Sequence, residues 1–587
     1  HGGSLGPDGA VSWFDQTARY AETRSCSFQA FIGGLPAAGA RFHLQILNEA
    51  SFRTIAVLTA DEHGRAQAQL GMGSLHVLAS KDDLAAEGDL GDDELVLHLA
   101  PPGADDVPWT DLDFHAPADR RPAPALLSSA LKAERARIRS QGNARRQAYL
   151  AWPIQPCPPE WEDLLKAARG NHVEIAAFLA GADPRRRELL LRTLADKDLR
   201  DVTQEILEDH LSRLPPRPDG LPEEIYWQYV ACPRLALEKL TAWRGPLDSW
   251  LSGWSGDPIA LHRRICEELE LCEGAYSNLY WAPEAALTAG RCDERSRRSL
   301  LVAALRTLGV PARLRPLDGA VEYWADGGFR PVLPEETGVL RLTAPAGRPL
   351  RYRLDWTISR WETDGWRLLA PTADWKDGGA LLELPAGRYR ILTSVRLPGG
   401  NQLASRRELT LDAGGERTVP VRMRSWTLDD LFSSQELPAL PAETLDGQHI
   451  PDLSRMGSGT ILALWLEEGG EPTEHLLNEL MEHRQTLEGT DIQVLFLLKG
   501  RDSLTQPTLA KALALLPQVQ VLLDDWAYDL ESVARHLGRD PDAPPLAVVC
   551  TGAGRAIYSH TGYRVGSAEL LLQVAAAVQQ KKSDEIH

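Results

Sequence analysis

The stretch that most narrows what this chain can fold into runs Gly290-Arg-Cys292-Asp-Glu-Arg-Ser-Arg-Arg-Ser-Leu-Leu-Val-Ala-Ala-Leu-Arg306-Thr-Leu-Gly309-Val-Pro311-Ala-Arg313. Leu300, Leu301, Ala304 and Leu305 recur at helical spacing, Gly309 supplies a stop, and the residues after it read as a strand. Cys292 enters that helix, where unpaired backbone N–H groups and the macrodipole favour a thiolate. The pattern therefore permits a nucleophile, provided that another element supplies a base.

With 587 residues the chain should divide into several domains, because one hydrophobic core stops growing at about 250–300 residues. The net charge of −19 and pI near 5.3 oppose generic binding to nucleic acid or an anionic membrane, since both polyanions would be repelled. No apolar run approaches the roughly 20 residues needed to span a bilayer, so no membrane span is expected. The chain opens at His1 rather than Met, and an upstream segment is expected to have preceded it. Cys26, Cys157, Cys232, Cys266, Cys272, Cys292 and Cys550 lack paired zinc-ligand spacing and read as buried free thiols, Cys266 and Cys272 as helix core. No metal and no cofactor is implied.

The predicted architecture is multidomain α+β. Residues 1–115 read as a β-sandwich, from period-two apolar runs such as Cys26 to Ile32 and Ala40 to Leu47 with Gly-centred turns. At its end Asp105, Asp106, Asp111, Asp113 and His115 surround Trp109; a solvated loop is expected rather than a calcium loop, which needs a closer ligand rhythm. Residues 116–224 read as a Pro-rich linker and a helical region, with Arg135, Arg137, Arg139, Arg145 and Arg146 forming a solvated basic face. Residues 225–336 hold further helices, dense in Trp, and the stretch described above. Strands resume over 337–425 as a second β-sandwich, and over 426–587 strands and helices alternate.

Gly290 to Arg313 resembles the core of the transglutaminase-like superfamily of papain-like folds, whose pattern is Gly-x-Cys, an apolar helix, then Arg-x-x-Gly-Ile-Pro-Ala-Arg. The resemblance implies a Cys, His and Asp acting together. Here the distance from Cys292 to Arg306 is two residues longer than usual, which puts Glu294 in the nucleophile register; two residues turn a helix by roughly 200°. Leu317 to Phe329, where the family carries its His, has none. Pro385 to Arg390 resembles a turn of carboxypeptidase-regulatory-like domains. The strand and helix order of 426–587, with Pro544-Pro545 before Leu546, resembles thioredoxin, although Glu468 to Glu471 stands where the redox family carries Cys-x-x-Cys.

Together these units resemble the C-terminal part of a large multidomain bacterial transglutaminase-like protein. That resemblance implies a degenerate core, an upstream catalytic transglutaminase-like domain or chain as partner, a peptide or glycopeptide substrate, and a secreted or cell-envelope location. The expected role is accessory: positioning or recognising substrate, with no catalysis by this chain alone. The alternative keeps Cys292 as nucleophile of a hydrolase or acyltransferase, or gathers Asp293, Glu294 and Glu322 as a glycosidase-like carboxylate site. An active site would present these groups to an open pocket; a scaffold would bury them or engage them in ion pairs.

Overall fold

The computed structural model describes residues 2–586 apart from 6–10, 15–16, 20–21, 92, 104, 118–128, 151–156, 255–256, 273–279, 346–348, 363–364, 373–374, 377, 399, 454–458, 468 and 525–528. The fold is multidomain α+β, and among the described residues no helix is long and apolar enough to cross a membrane.

Alternating apolar residues build the first sandwich. Strand Thr23–Ile32 pairs with Glu94–Leu99, Arg65–Gly71 and Leu35–Pro36, and a second sheet runs Ser51–Thr59, Arg41–Asn48, Leu75–Lys81, Leu84–Leu90. Cys26, Phe28 and Ala30 point inward from one sheet to meet Phe42, Leu44 and Val77 from the other. The second sandwich sets Thr337–Thr343, flanked by Gly379–Pro385 and Glu416–Pro420, against a sheet built on Trp356–Glu362, Gly387–Arg396 and Gln402–Leu411. Trp356, Tyr389, Ile391, Leu340 and Leu382 fill its core.

Asp111 and Asp113 of the acidic segment read as a solvated loop lie instead on the strand Val107–Phe114, antiparallel to Gln402–Leu411, while Asp105, Asp106 and His115 flank it, exposed and outside regular structure. Its period-two pattern explains this: Leu112 and Phe114 are buried, while the intervening acids pair with arginines. Asp111 meets Arg422 at 2.8 Å and accepts from Ser405 Oγ at 2.7 Å; Asp106 pairs with Arg417 and Asp113 with Arg424. Among the described residues no cluster of His, Cys, Asp or Glu has the arrangement of a metal site.

In the helical region, Glu162–Ala168, His172–Leu179, Pro184–Leu191 and Gln204–Ser212 pack around Leu165, Ile175, Phe178, Leu190 and Leu207. The preceding helix, Ser129–Leu150, leaves Arg137, Arg139, Arg145 and Arg146 exposed; most of the predicted linker, at 118–128, lies outside the described residues. Asp198 meets Arg234 in a buried ion pair.

The helix predicted from Leu300 onward spans Glu294–Thr307, and every residue from Ser299 to Arg306 is buried. It is buried all round because Trp243, Leu247, Leu261 and Ile265 cover one side and Ala312, Val321 and Val332 of the following strands cover another. Those strands, Ala312–Leu314, Val321–Ala325 and Gly328–Pro331, form one antiparallel sheet. The helices expected in this region are separate: the chain leaves helix after the π-turn Trp227–Ala231 and resumes at Arg244–Trp250 and Pro258–Glu268. Two buried guanidiniums serve the carbonyls freed there. Arg306 donates to Cys232 O and Arg234 O at 2.8 Å and to Ala312 O at 2.9 Å; Arg244 donates to Ala231 O at 3.2 Å and to Val230 O.

The C-terminal unit is built on a mixed sheet whose middle runs in the order Arg555–Thr561, Leu546–Thr551, Thr460–Trp465, Ile492–Leu498, Gln520–Leu523, the last three of these parallel, with Gln435–Glu436 at one edge and Ala442–Thr444 and His449–Ile450 at the other. Side-chain alternation divides its two faces. Leu462, Leu464, Val494, Phe496 and Val549 pack under helices Glu471–Glu482, Pro507–Leu515 and Ser567–Ile586, while Ile461, Trp465, Leu497 and Val548 meet helix Asp529–His536. The Pro544–Pro545 bond is cis.

Candidate functional site

Cys292 lies two residues ahead of the core helix, before the N-cap Asp293, and not in its first turn. It sits in the short strand Arg291–Cys292, beside Glu270–Leu271, and its side chain is fully buried in the cluster of Leu261, Ile265 and Leu300. Burial first, and the Asp293 carboxylate second, push its thiol up to about 12. The thiolate expected from a helix N-terminus is therefore outweighed by desolvation. Asp293 is the N-cap, its Oδ1 accepting from Ser296 N at 2.8 Å.

Glu294 opens the helix and is held by Arg298 at 3.1 Å and by Arg297. Glu322 is 7% exposed on the middle strand of the sheet, opposite Arg313, which binds its Oε2 at 2.8 Å. The Arg313 guanidinium lies 3.9 Å over the Phe329 ring, which fixes its orientation. Cys292, Asp293 and Glu294 are thus consecutive but engaged separately, and Glu322 has its own partner. No hydrogen bond joins any two of the four.

A thiol–imidazole contact escaped the sequence reading. On helix Pro258–Glu268, His262 Nε2 and Cys266 Sγ are 3.6 Å apart, and both side chains are half-buried rather than core. The four-residue spacing, which stacks side chains on one helix face, was the available signal. Burial and Arg297 hold the His262 ring below its usual pKa. Elsewhere, an open groove of about 710 Å³ in the helical region is lined by Lys166, Arg169, Arg192 and Arg200 together with Asp163 and Asp196. Arg192 is paired with Asp163 at 2.9 Å and Arg200 with Asp196 at 3.5 Å, which leaves a groove of mixed charge.

In the C-terminal unit, Cys550 is 2% exposed on the central strand Leu546–Thr551, and burial pushes its thiol up to about 12. Glu471 begins the helix that follows Thr460–Trp465, while Glu468 lies outside the described residues. Three parallel strands extended by an antiparallel hairpin, with helices on both faces, decide the fold. This unit has a thioredoxin-like fold. No protein-family model matches the chain, and no curated protein matches it. Among solved structures, a thioredoxin-like protein from Porphyromonas gingivalis is 17% identical, with 25% of this chain and 92% of that one covered at a TM-score of 0.20. The thioredoxin domain of a thiol-disulfide oxidoreductase from Bacteroides vulgatus is 11% identical, covering 25% and 96% at 0.19. StoA from Bacillus subtilis is 11% identical, covering 24% and 98% at 0.18.

Proposed function

We propose that this chain is the accessory part of a transglutaminase-like bacterial protein, secreted or held in the cell envelope, which positions or recognises a peptide or glycopeptide for a catalytic domain elsewhere. The observation that carries this reading is the state of Cys292: a fully buried thiol with its pKa raised to about 12 is protonated at neutral pH and out of reach of substrate. The engaged carboxylates weigh the same way, since a general acid or nucleophile needs a free lone pair facing substrate. The helix followed by an antiparallel three-stranded sheet supports the transglutaminase-like reading of 225–336. The mixed-charge groove of the helical region suits a zwitterionic peptide.

The test is turnover. The purified chain is incubated with glutamine-containing peptides and a fluorescent amine, and separately with glycopeptides under mass-spectrometric readout, beside Cys292→Ser and Glu322→Gln. The expected result is no product above background from any of the three. Turnover by the unaltered chain that disappears in Cys292→Ser would establish the acyltransferase alternative, and turnover lost in Glu322→Gln would establish the carboxylate one.

A further inference from the structure

His262 and Cys266 answer a description that Cys292 does not, because the thiol is accessible and a nitrogen base stands beside it. Cys266 Sγ and His262 Nε2 lie 3.6 Å apart along one face of helix Pro258–Glu268, and in the tautomer protonated at Nδ1 the thiol is the donor. The charged groups of the core helix that act on His262 are Glu294, Arg297 and Arg298; burial and Arg297 hold the ring below its ordinary pKa, so it is neutral at neutral pH and offers a nitrogen lone pair, while the same causes limit its strength as a base. Arg297 adds a second feature. Its terminal nitrogen is taken by Glu294, but its Nε–H is buried and has no hydrogen-bond partner among the described residues. A buried guanidinium donor left unmatched is costly, and a carboxylate is its natural complement.

We propose that His262, Cys266 and Arg297 form a thiol-modification site that takes up low-molecular-weight disulfides bearing carboxylates. Cys266 passes its proton to His262 Nε2 and the thiolate attacks one sulfur of the disulfide. The new bond joins Sγ to that sulfur, the original S–S bond breaks, and the other half departs as a thiolate with the bonding pair and collects the proton from His262. Cys266 is oxidised to the mixed disulfide and half of the incoming disulfide is reduced to thiol, so no further oxidant is needed. Arg297 binds the carboxylate. None of this depends on the accessory role proposed above, since Cys292 and Glu322 take no part and Glu294 serves only to hold Arg297.

The experiment follows reaction of the native chain at pH 7 with dithiobis(nitrobenzoate), which carries carboxylates, and with neutral dipyridyl disulfide, the modified cysteine being located by peptide mass spectrometry. Cys266 should react at least about tenfold faster than a cysteine in an unstructured peptide. His262→Ala should slow both probes about tenfold, with added imidazole restoring the rate, and His262→Gln should slow them without rescue. Arg297→Gln should lower only the rate with the carboxylate-bearing probe, by several-fold. Circular dichroism confirms that each variant is folded. A Cys266 rate no greater than that of the peptide, or one unchanged in folded His262→Ala, overturns the site. An unchanged ratio of the two probes in Arg297→Gln overturns its carboxylate preference.

Discussion

Arg306→Ala will destabilise the core domain by about 3–5 kcal/mol, read as a shift of the urea unfolding midpoint. The side chain is 4% exposed and donates to three carbonyls, those of Cys232 and Arg234, which lie outside helix and strand, and that of Ala312, the first residue of its strand. Each buried acceptor stripped of its donor costs about 1–3 kcal/mol, and water entering the vacated space recovers part of the total. Burial itself disfavours the guanidinium charge and holds its pKa below the ordinary value, so the residue is retained for its fork of donors, not for its charge. Arg306→Lys should therefore also be destabilised, though less, because one ammonium cannot reach three carbonyls fixed by the planar guanidinium. A midpoint for Arg306→Ala within error of the unaltered chain would mean that these carbonyls find other donors.

Glu87→Ala will uncouple the two sandwiches, at a cost of about 3–5 kcal/mol, because it breaks a buried ion network while leaving its cations in place. Glu87, on the first sandwich, accepts from Arg390 at 2.6 and 2.7 Å, Arg406 at 3.1 Å and Trp366 Nε1 at 2.6 Å, all on the second. It also meets His76 Nε2 at 3.2 Å, whose Nδ1 lies 2.6 Å from Asp89 and whose ring stacks on Phe52 at 4.1 Å. Arg390 keeps Glu408 at 2.7 Å, which sets the upper end of the expected loss.

The network also predicts a pH window. Burial works against a charged Glu87, but Arg390, His76 and Arg406 outweigh it, and its pKa falls well below the ordinary 4.5. Its contribution is present above 4.5 and is lost as pH falls through the lower folded value. Burial likewise opposes a charged His76, but Asp89 and Glu87 raise its pKa above 6.5. That contribution is complete below 6.5 and is lost as pH rises through the folded value. Unfolding midpoints of the sandwich pair should decline on both sides, and His76→Gln should remove the alkaline decline alone. An alkaline decline that persists in His76→Gln would assign it to another group.

What the residues disclosed in advance was local. The core helix and its strand were legible because apolar spacing, Gly309 and Pro311 act within a few residues of one another. The alternation of Thr460–Trp465 and Ile492–Leu498 with helices was legible for the same reason. The partners of Val107–Phe114 lie nearly three hundred residues onward, at Gln402–Leu411, and no local pattern names them, so its acids read as a loop. Arg306 was invisible in its real role because its partners are backbone carbonyls, which leave no mark in a sequence. At the candidate site, the helix position of Cys292 suggested an activated thiol, whereas the decisive term was burial by Leu261 and Ile265, a long-range property. His262 and Cys266 were within reach of the spacing argument and were passed over because Cys266 was taken as helix core and His262 was not singled out.

The most direct test of the central claim is the pH dependence of alkylation at Cys292 in the native chain, resolved from the other cysteines by peptide mass spectrometry. The account predicts that Cys292 stays unmodified from pH 6 to pH 9 and labels only on unfolding, as a buried thiol with pKa near 12 must. Labelling of Cys292 in folded protein with a midpoint below the free-thiol value of about 8.5 would contradict it and mark an activated nucleophile at the start of the core helix.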